Sequence, residues 1–464
     1  MSDYTAQERS TLIVATLTSF MGPFMISAVN VALPAIQAEF KVDAVRLSWI
    51  TTAFLLSVAV FLVPVGKIAD IHGRKKMFTA GLALFTLGAL LAGFAGTVNL
   101  LIFFRVLQGI GSAMFLTTGM AIVTSVFPPN KRGRAIGIYV AAVYIGLSAG
   151  PFVGGIFTQQ IGWRSIFFLA VPLGVASVVI TLRYLKGEWA DARGEKLDTW
   201  GSLLYSLSIM ALVYGATILP ARSALVLLAA GFLCLLAFVW REVSISFPVF
   251  EIRLFVENRL FTFSSFAALI HYAATYAVTF LLSLYLQYIQ GLSPQQAGLI
   301  LIVQPITMAV FSPLAGKWSD RIEPRKIASA GMATTVFGLL LLIFLSADTS
   351  RLYVIGNLLV LGFGFALFSS PNMNAIMGSV EKRYFGIASG SVATMRLLGQ
   401  MSSMAAATVV FSIFIGRQEI SPPVYDLFLR SIRILFSLSA LLCTVGIGFS
   451  LFRGELRRIE TVRR

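Results

Sequence analysis

The chain has 464 residues, of which 57% are hydrophobic and only 12% are charged. Soluble globular proteins are about 25% charged, so this composition excludes an ordinary soluble protein and indicates a membrane protein. The formal net charge of +16 does not indicate a nucleic-acid partner, because the lysines and arginines lie in short segments between apolar runs. Basic segments of this kind are typical of cytoplasmic loops that face anionic lipid.

Apolar runs long enough to cross a bilayer, which takes about 20 helical residues, occur fourteen times. They predict helices over 11–34, 47–66, 78–96, 100–127, 135–157, 165–185, 199–219, 224–241, 261–286, 295–316, 327–346, 351–373, 385–415 and 431–453. The polar N-terminal segment has neither a basic stretch nor a small-residue cleavage site, so we expect the first helix to be retained.

The distribution of lysine and arginine predicts the orientation. With a cytoplasmic N-terminus, 26 of the 36 basic residues fall on the cytoplasmic side, 8 fall outside and 2 lie within helices. This asymmetry and the even number of helices place both termini in the cytoplasm. The chain is therefore predicted to be a multi-pass protein of the cytoplasmic cell membrane that is surrounded by the lipid bilayer.

A charged turn bracketed by glycine occurs twice, 250 residues apart. The first signature turn covers 66–76, and the second covers 316–326. The same offset maps the first predicted helix onto the ninth. We therefore predict an N-terminal six-helix bundle in 1–190, an inserted helix pair with a cytoplasmic linker in 191–260, and a C-terminal six-helix bundle in 261–464. Two repeated bundles with a site between them are typical of secondary transporters.

The first signature turn resembles the motif between helices two and three of the major facilitator superfamily, although Ile71 stands where that family has an arginine. The number of helices, fourteen, resembles that of the drug:proton antiporter branch, which carries out multidrug efflux. The resemblance implies an all-α polytopic membrane protein with two six-helix bundles and two inserted helices. It also implies a conformational latch formed by Gly66, Asp70, Gly73, Arg74, Gly316, Asp320 and Arg321. The alternative is that these turns are only positive topology signals.

The fourth predicted helix carries Arg105 near its start, in a segment that resembles the family's R-x-x-q-G-x-g-a motif. An arginine inside a spanning helix costs a few kcal/mol unless it is paired or hydrated. The resemblance implies that Arg105 supports proton or substrate coupling. The alternative is a structural arginine whose side chain extends to the membrane surface.

The fifth predicted helix has glycine at every fourth position, which gives a stripe that another helix can approach closely. The stripe and its neighbours are Gly146, Gly150, Pro151, Gly154 and Gly155. This pattern resembles the exporter motif of the superfamily, and the resemblance implies export. A tight packing face that says nothing about direction is the alternative.

The first predicted helix contains Asn30 in an N-x-A-L-P ending that is similar to the drug:proton branch. Members of that branch commonly carry an aspartate five residues earlier, where this chain has Met25. No aspartate or glutamate is expected at the midpoint of any helix. A proton antiporter usually needs a buried carboxylate with a raised pKa, so this feature departs from the family.

The predicted membrane interior instead contains basic, amide and tyrosine side chains. Our candidates for substrate binding or coupling are Asn30, Arg105, Gln108, His271, Tyr272, Tyr276, Gln304, Asn372, Asn374 and Arg396. His271 can titrate near neutral pH, unless it is a hydrogen-bonded packing residue. A purely structural arginine at position 396 is costly. We expect the cavity to prefer neutral, amphipathic or anionic compounds over dicationic drugs.

These observations predict a secondary active transporter that exports small amphipathic or drug-like compounds by alternating access, coupled to protons and working as a monomer. An enzyme is not expected, because the sequence has no Ser/His/Asp constellation, no metal-spaced cluster and no P-loop. No cofactor, metal or nucleic acid is expected either. Two alternatives remain open: an exporter or importer of an anionic or neutral metabolite or lipid, and an uncoupled membrane sensor or scaffold.

Overall fold

The computed structural model describes residues 5–219, 221–380 and 385–454, without the side chains of 129–130, 132–134, 140, 320 and 385–387. Fourteen helices in these residues are long and apolar enough to span a membrane, which confirms the predicted number. They are α1 Ala6–Phe40, α2 Ala44–His72, α3 Arg74–Gly93, α4 Val98–Val126, α5 Pro129–Gln160, α6 Arg164–Tyr184, α7 Thr199–Thr217, α8 Arg222–Ser244, α9 Arg259–Ile289, α10 Pro294–Ser319, α11 Pro324–Leu342, α12 Arg351–Ser379, α13 Phe385–Phe414 and α14 Tyr425–Phe452.

Polar caps extend several helices beyond their predicted apolar cores. The Thr5 side chain accepts a hydrogen bond from the Glu8 amide, and the Glu8 side chain accepts one from the Thr5 amide, so α1 begins before the apolar run. The Asp43 side chain caps α2 by accepting a hydrogen bond from the Arg46 amide. Counting apolar residues finds the spanning part of such a helix and misses its polar ends.

The two halves of the chain repeat both helix positions and helix packing. Helices α2 and α3 begin at Ala44 and Arg74, and α10 and α11 begin 250 residues later at Pro294 and Pro324. In the first half α1 packs on α5, α2 on α4, and α3 on α4 and α6. The second half repeats these pairs as α9 with α13, α10 with α12, and α11 with α12 and α14. This arrangement confirms two six-helix bundles; the boundaries at 190 and 260 stay a prediction.

The inserted pair, α7 and α8, packs together and touches both halves. The Tyr205 hydroxyl of α7 donates to the Ala59 carbonyl of α2 at 2.9 Å. On the other side, the Ser412 hydroxyl of α13 donates to the Leu219 carbonyl just after α7 at 3.2 Å. A short helix, Ile252–Glu257, follows α8 and leads into α9.

We call the end of the molecule where α1 begins the inner face, and the opposite end the outer face. At the outer face the Ala44 amide of α2 donates to the Gln418 carbonyl after α13 at 3.0 Å. One turn further along α2, the hydroxyls of Ser48 and Thr408 lie 2.9 Å apart. Helices α5 and α10 also pack closely, so the two halves are joined at the outer face.

Candidate functional site

Arg105 is the centre of a buried polar cluster in the first half. Its side chain is fully buried, donates to the Ile50 carbonyl at 3.2 Å and to the Gln108 side-chain oxygen at 2.9 Å. Its guanidinium also lies 4.2 Å from the ring centroid of Phe54. Gly109 makes this approach of α4 to α2 possible, since a Cβ there would lie 2.5 Å from the Phe54 carbonyl oxygen. Arg105 is therefore held in the interior by α2 and does not extend to the membrane surface.

Several buried atoms around Arg105 have no hydrogen-bond partner within the described residues. They are Nη2 of Arg105, Nε2 of Gln108, Oγ of Ser112 and the hydroxyl of Tyr276. Tyr276 belongs to α9 of the second half and lies near Arg105. The cluster therefore lies where the two halves meet.

Asn30 links three helices on the outer side of this interface. Its side-chain oxygen accepts a hydrogen bond from the Thr51 hydroxyl of α2 at 3.0 Å, and its backbone carbonyl accepts one from the Ser283 hydroxyl of α9 at 2.9 Å. The Gln287 amide donates to the neighbouring Val31 carbonyl at 3.0 Å. Asn30 thus joins the two halves in the outer-closed arrangement.

Arg396 is surrounded by tyrosines that come from both halves. Tyr272 of α9 lies beside Arg396 and Ser369, and Tyr139 of α5 lies near Arg396. Tyr144 of α5 completes the group, with its hydroxyl 3.5 Å from the Ser369 hydroxyl of α12. We call these five residues the tyrosine site. Sequence reasoning found Arg396 and Tyr272 but missed Tyr139 and Tyr144, because no pattern in α5 separates them from packing aromatics.

His271 occupies the interior of the second half. Its fully buried ring stacks on Phe368 with 4.1 Å between the ring centroids, and the Phe365 ring lies 5.1 Å away. Neither ring nitrogen has a hydrogen-bond partner among the described residues. His271 therefore lies in an aromatic environment, and its coupling role stays a prediction.

Three amide candidates lie away from these two groups. Gln304 is buried where α10 crosses α12 closely at Gly362. The Asn372 side-chain oxygen accepts a hydrogen bond from Arg453 at 2.7 Å. The exposed Asn374 donates to the Ser319 hydroxyl at 2.6 Å, next to the second signature turn. Asn372 and Asn374 therefore act as structural contacts at the inner face in this structure.

Sequence reasoning missed Arg453, because it is followed by a polar C-terminal segment. Only 2% of Arg453 is exposed, and burial lowers its pKa to about 10, which leaves it charged at neutral pH. Its guanidinium also lies 3.3 Å from the Ser264 hydroxyl. Arg453 and Asn372 together fasten the end of α14 to α9 and α12.

The first signature turn contains an ion pair between Arg74 and Asp70. The Arg74 guanidinium donates to the Asp70 carboxylate at 2.7 Å, and it lies 2.7 Å from Asp191 in the loop between α6 and α7. Gly73 has a φ of 122°, which favours glycine, and a Cβ there would lie 2.5 Å from Glu188 of that loop. The loop therefore covers the turn, a contact that no sequence signal indicated.

The rest of the predicted latch is only partly described. A Cβ at Gly66 would contact Thr117 of α4 at 3.8 Å, and one at Gly316 would lie 2.9 Å from the Ser370 hydroxyl of α12. Arg321 is exposed at the end of the second turn. The side chain of Asp320 lies outside the described residues. The latch function itself stays a prediction.

The glycine motif of α5 has two faces. Gly146, Gly150 and Gly154 pack against α1 within the first half, since a Cβ at Gly154 would lie 2.8 Å from Ala28. Gly155 faces the other half, and a Cβ there would lie 2.5 Å from the Pro294 carbonyl oxygen at the start of α10. Gly298 of α10 approaches the Pro151 carbonyl in the same way. The motif therefore packs the first half and also closes the outer face.

Every described carboxylate lies in a loop or within about two turns of a helix end. Glu242, near the inner end of α8, is buried to 1% exposure, and one of its oxygens accepts a hydrogen bond from the Phe250 amide at 2.7 Å. Sequence reasoning missed this buried carboxylate, because it sits at the polar end of an apolar run. No group of three or more His, Cys, Asp or Glu side chains in the described part of the chain has the arrangement of a metal site.

The chain is similar to known membrane transporters over most of its length. A model of the Major Facilitator Superfamily matches residues 15–255 and 264–463. The chain is 32% identical over 406 residues to the riboflavin transporter RibZ of Clostridioides difficile, covering 88% of each chain. It is 33% identical over 417 residues to the multidrug resistance protein Stp of Mycobacterium tuberculosis, covering 88% of this chain and 77% of that protein.

Among solved structures, the fold matches a bacterial homolog of the human lysosomal transporter Spinster, which was solved in an inward-facing and unoccupied conformation. The TM-score is 0.68 at 15% sequence identity, and the match covers 96% of this chain and 97% of that chain. This likeness shows a shared fold.

Proposed function

The chain belongs to the Major Facilitator Superfamily, and we propose that it is a secondary active exporter of small amphipathic compounds. It is a multi-pass membrane transporter and not an enzyme. We propose that it works as a monomer in the cytoplasmic membrane, with both termini in the cytoplasm. Transport would occur by alternating access, as the two six-helix halves rock around a site between them.

The observation that carries this proposal is the buried polar cluster at Arg105. Buried polar atoms are nearly always hydrogen-bonded, so the free donors of Arg105, Gln108 and Tyr276 call for water or substrate as a partner. The cluster involves both halves, and the hydrogen bonds of Asn30 close the interface on its outer side. A polar site between two halves that are joined at one face is what alternating access requires.

Export is the direction that two observations support. The α5 glycine motif, which resembles the exporter motif of the superfamily, contributes Gly155 and the Pro151 carbonyl to the outer contact with α10. It therefore sits at a contact that must break for release to the outside. The relatives include a multidrug resistance protein, while the riboflavin transporter leaves the compound class open.

Proton coupling forms part of the proposal, although no described carboxylate lies at mid-depth. His271 is the candidate proton carrier, because it is a titratable side chain without a hydrogen-bond partner in the described interior of the second half. The Phe365 and Phe368 rings around it keep water away, so protonation would require a conformational change. If protonation of His271 requires a conformational change, proton uptake can be coupled to the movement of the two halves.

The test is transport by the purified full-length protein in liposomes. N-phenyl-1-naphthylamine, a neutral amphipathic dye, and riboflavin serve as probes, with an imposed pH gradient that can be collapsed by an ionophore. We expect gradient-dependent movement of at least one probe. Arg105→Gln should reduce the rate at least about tenfold, because it removes charge-assisted hydrogen bonds from the site.

Arg430→Gln is the matched control, since Arg430 is an exposed arginine on α14 whose guanidinium lies 5.5 Å from the Phe414 ring. It should keep the wild-type rate. His271→Phe separates coupling from transport: probe exchange without a gradient should persist while pH-driven accumulation is lost. Folded protein that moves neither probe under any gradient would refute the exporter proposal and favour the uncoupled sensor or scaffold.

A further inference from the structure

We infer that the tyrosine site binds the substrate and that the substrate is an aromatic anion, with its acidic group on Arg396 and its ring among the tyrosines. The acidic group is a carboxylate or a group of similar chemistry. This inference rests on the proposed transport function and names the substrate class. Nothing in the family match or in the names of the relatives assigns these residues.

The charge on Arg396 is the first argument. Arg396 lies eleven residues into α13, which places it roughly 16 Å from the helix start. Within the described residues no carboxylate lies within ion-pair distance of it, whereas Arg74, Arg164 and Arg241 near helix ends each pair with a carboxylate. An arginine at this depth without a carboxylate partner is costly, so it indicates a ligand or pathway role. An anionic ligand would pair with the guanidinium and so lower the free-energy cost of burying its charge.

The position of the site is the second argument. Tyr139 and Tyr144 come from α5 in the first half, while Tyr272, Ser369 and Arg396 come from α9, α12 and α13 in the second half. Arg396, Tyr144 and Tyr272 are each only partly buried. A ligand bound here touches both halves, so rocking of the halves must change its contacts. Transport sites in this architecture have that property.

The side chains of the tyrosine site favour a ligand that has both an aromatic ring and a negative charge. Their faces pack well against aromatic groups, and their hydroxyls can donate hydrogen bonds to an anion. A tyrosine face also attracts cations, but a cationic ligand would meet the uncompensated charge of Arg396. Tyrosine side chains around an arginine whose charge has no carboxylate partner in the described residues therefore favour an aromatic acid over an aromatic cation.

The tyrosine site is connected to the Arg105 cluster through α9. Tyr272 lies beside Arg396, and Tyr276, one helical turn further toward the outer face, lies near Arg105. The four residues from Tyr272 to Tyr276 advance about 6 Å along α9, so Arg396 and Arg105 lie beside successive turns of this helix. Because Arg105 is fully buried and already bonded to α2, Arg396 is the accessible anchor for the acidic group.

The experiment compares isosteric pairs that differ in charge. The full-length protein in lipid nanodiscs is titrated with 2-naphthoate against 2-naphthamide, and with 9-anthracenecarboxylate against its carboxamide. Binding is measured by calorimetry and by the rise in unfolding temperature, since a ligand of the folded state stabilises it by mass action. We expect the wild type to bind at least one carboxylate about tenfold more tightly than its amide.

Variants assign this preference to Arg396. Arg396→Gln should bind acid and amide equally, Arg396→Lys should keep part of the preference because it keeps the charge, and Arg430→Gln should behave as wild type. Tyr144→Phe should weaken the carboxylate more than the amide. Arg396→Lys and Tyr144→Phe are conservative substitutions. Their binding of acid and amide still tests the inference if Arg396→Gln does not fold.

Two results would overturn the inference: no pair shows a preference for the acid in the wild type, or the preference is unchanged in the Arg396 variants. Failure of the transport proposal looks different. Gradient-driven movement of the neutral dye without acid preference leaves the exporter standing and removes the anion site. Acid preference that depends on Arg396, without gradient-driven movement of any probe, keeps the site and removes the exporter.

Discussion

Closure of the outer face should depend on the close contact between Gly298 of α10 and the Pro151 carbonyl of α5. A Cβ at Gly298 would lie 2.8 Å from the Pro151 carbonyl carbon, so Gly298→Val must push the two halves apart at this point. Overpacking of this kind costs about 1–3 kcal/mol. In the proposed alternating-access cycle this contact breaks when the outer face opens, so the cost should shift the equilibrium toward an outer-open state by about 5- to 150-fold.

The shift can be measured through Ser283, which is completely buried at the outer interface, where it bonds to the Asn30 carbonyl. Ser283→Cys is introduced after Cys234 and Cys443 have been replaced, and its labelling by a membrane-impermeant maleimide is followed from the outside. While the outer-open state is the minor one, the labelling rate is proportional to its population, so Gly298→Val should raise the rate by the same factor.

Gly356→Val is the matched control for this measurement. Gly356 lies exposed on α12 and has no atom within 4 Å of an added Cβ, so the same substitution there should leave labelling unchanged. Equal labelling of Ser283→Cys in the two valine variants would refute the reasoning. It would mean that the outer face does not close through the α5–α10 contact.

Three further substitutions separate structural roles from transport roles. Asn372→Leu should lower the unfolding temperature of the purified protein, because it leaves Arg453 buried without its 2.7 Å partner at a cost of about 1–3 kcal/mol, but dye export per folded molecule should stay near wild type. Asp191→Asn should accelerate proteolysis of the α6–α7 loop by about 1.4- to 5-fold, since a measurable exposed ion pair contributes roughly 0.2–1 kcal/mol; unchanged proteolysis would mean that Arg74 does not hold the loop. Met25→Asp should reduce stability, because Met25 is fully buried, and it should confer movement of a dicationic dye if the missing aspartate is what excludes such compounds.

The helices and their number could be predicted because spanning helices need long apolar runs, and this requirement is written directly in the sequence. The repeat was equally visible, since the two signature turns are 250 residues apart and the starts of α10 and α11 follow the same offset. Helix ends were less predictable. The Thr5–Glu8 cap extends α1 into a polar stretch where an apolar count has no signal.

The candidate site was predictable in part. The free-energy cost of placing a charged or polar side chain in the membrane marks that residue in the sequence, but it does not show which residues surround it. An arginine in an apolar run is conspicuous, so Arg105 and Arg396 were found. Asn372 was equally conspicuous, because it is an amide in an apolar run. Its side-chain oxygen accepts a hydrogen bond from Arg453, and the sequence could not show this partner because Arg453, at the end of α14, is buried only through tertiary packing. Tyr139 and Tyr144 belong to the site only because α5 crosses to the second half, and no local pattern contains that contact.

The charge of the interior bears on how export would be coupled. If the two halves close around Arg396 during the proposed cycle, water is removed from a cation without a carboxylate partner, which raises the free energy of the closed state of the empty transporter. An anionic substrate brings the missing charge, so it lowers that cost only for the loaded transporter. A cationic drug would add to the cost. With the proposed anion site, charge compensation by the substrate would take over part of the work that a buried carboxylate does in a proton-coupled cation exporter, and a chain with Met25 and Arg396 would not need that carboxylate to release the cost.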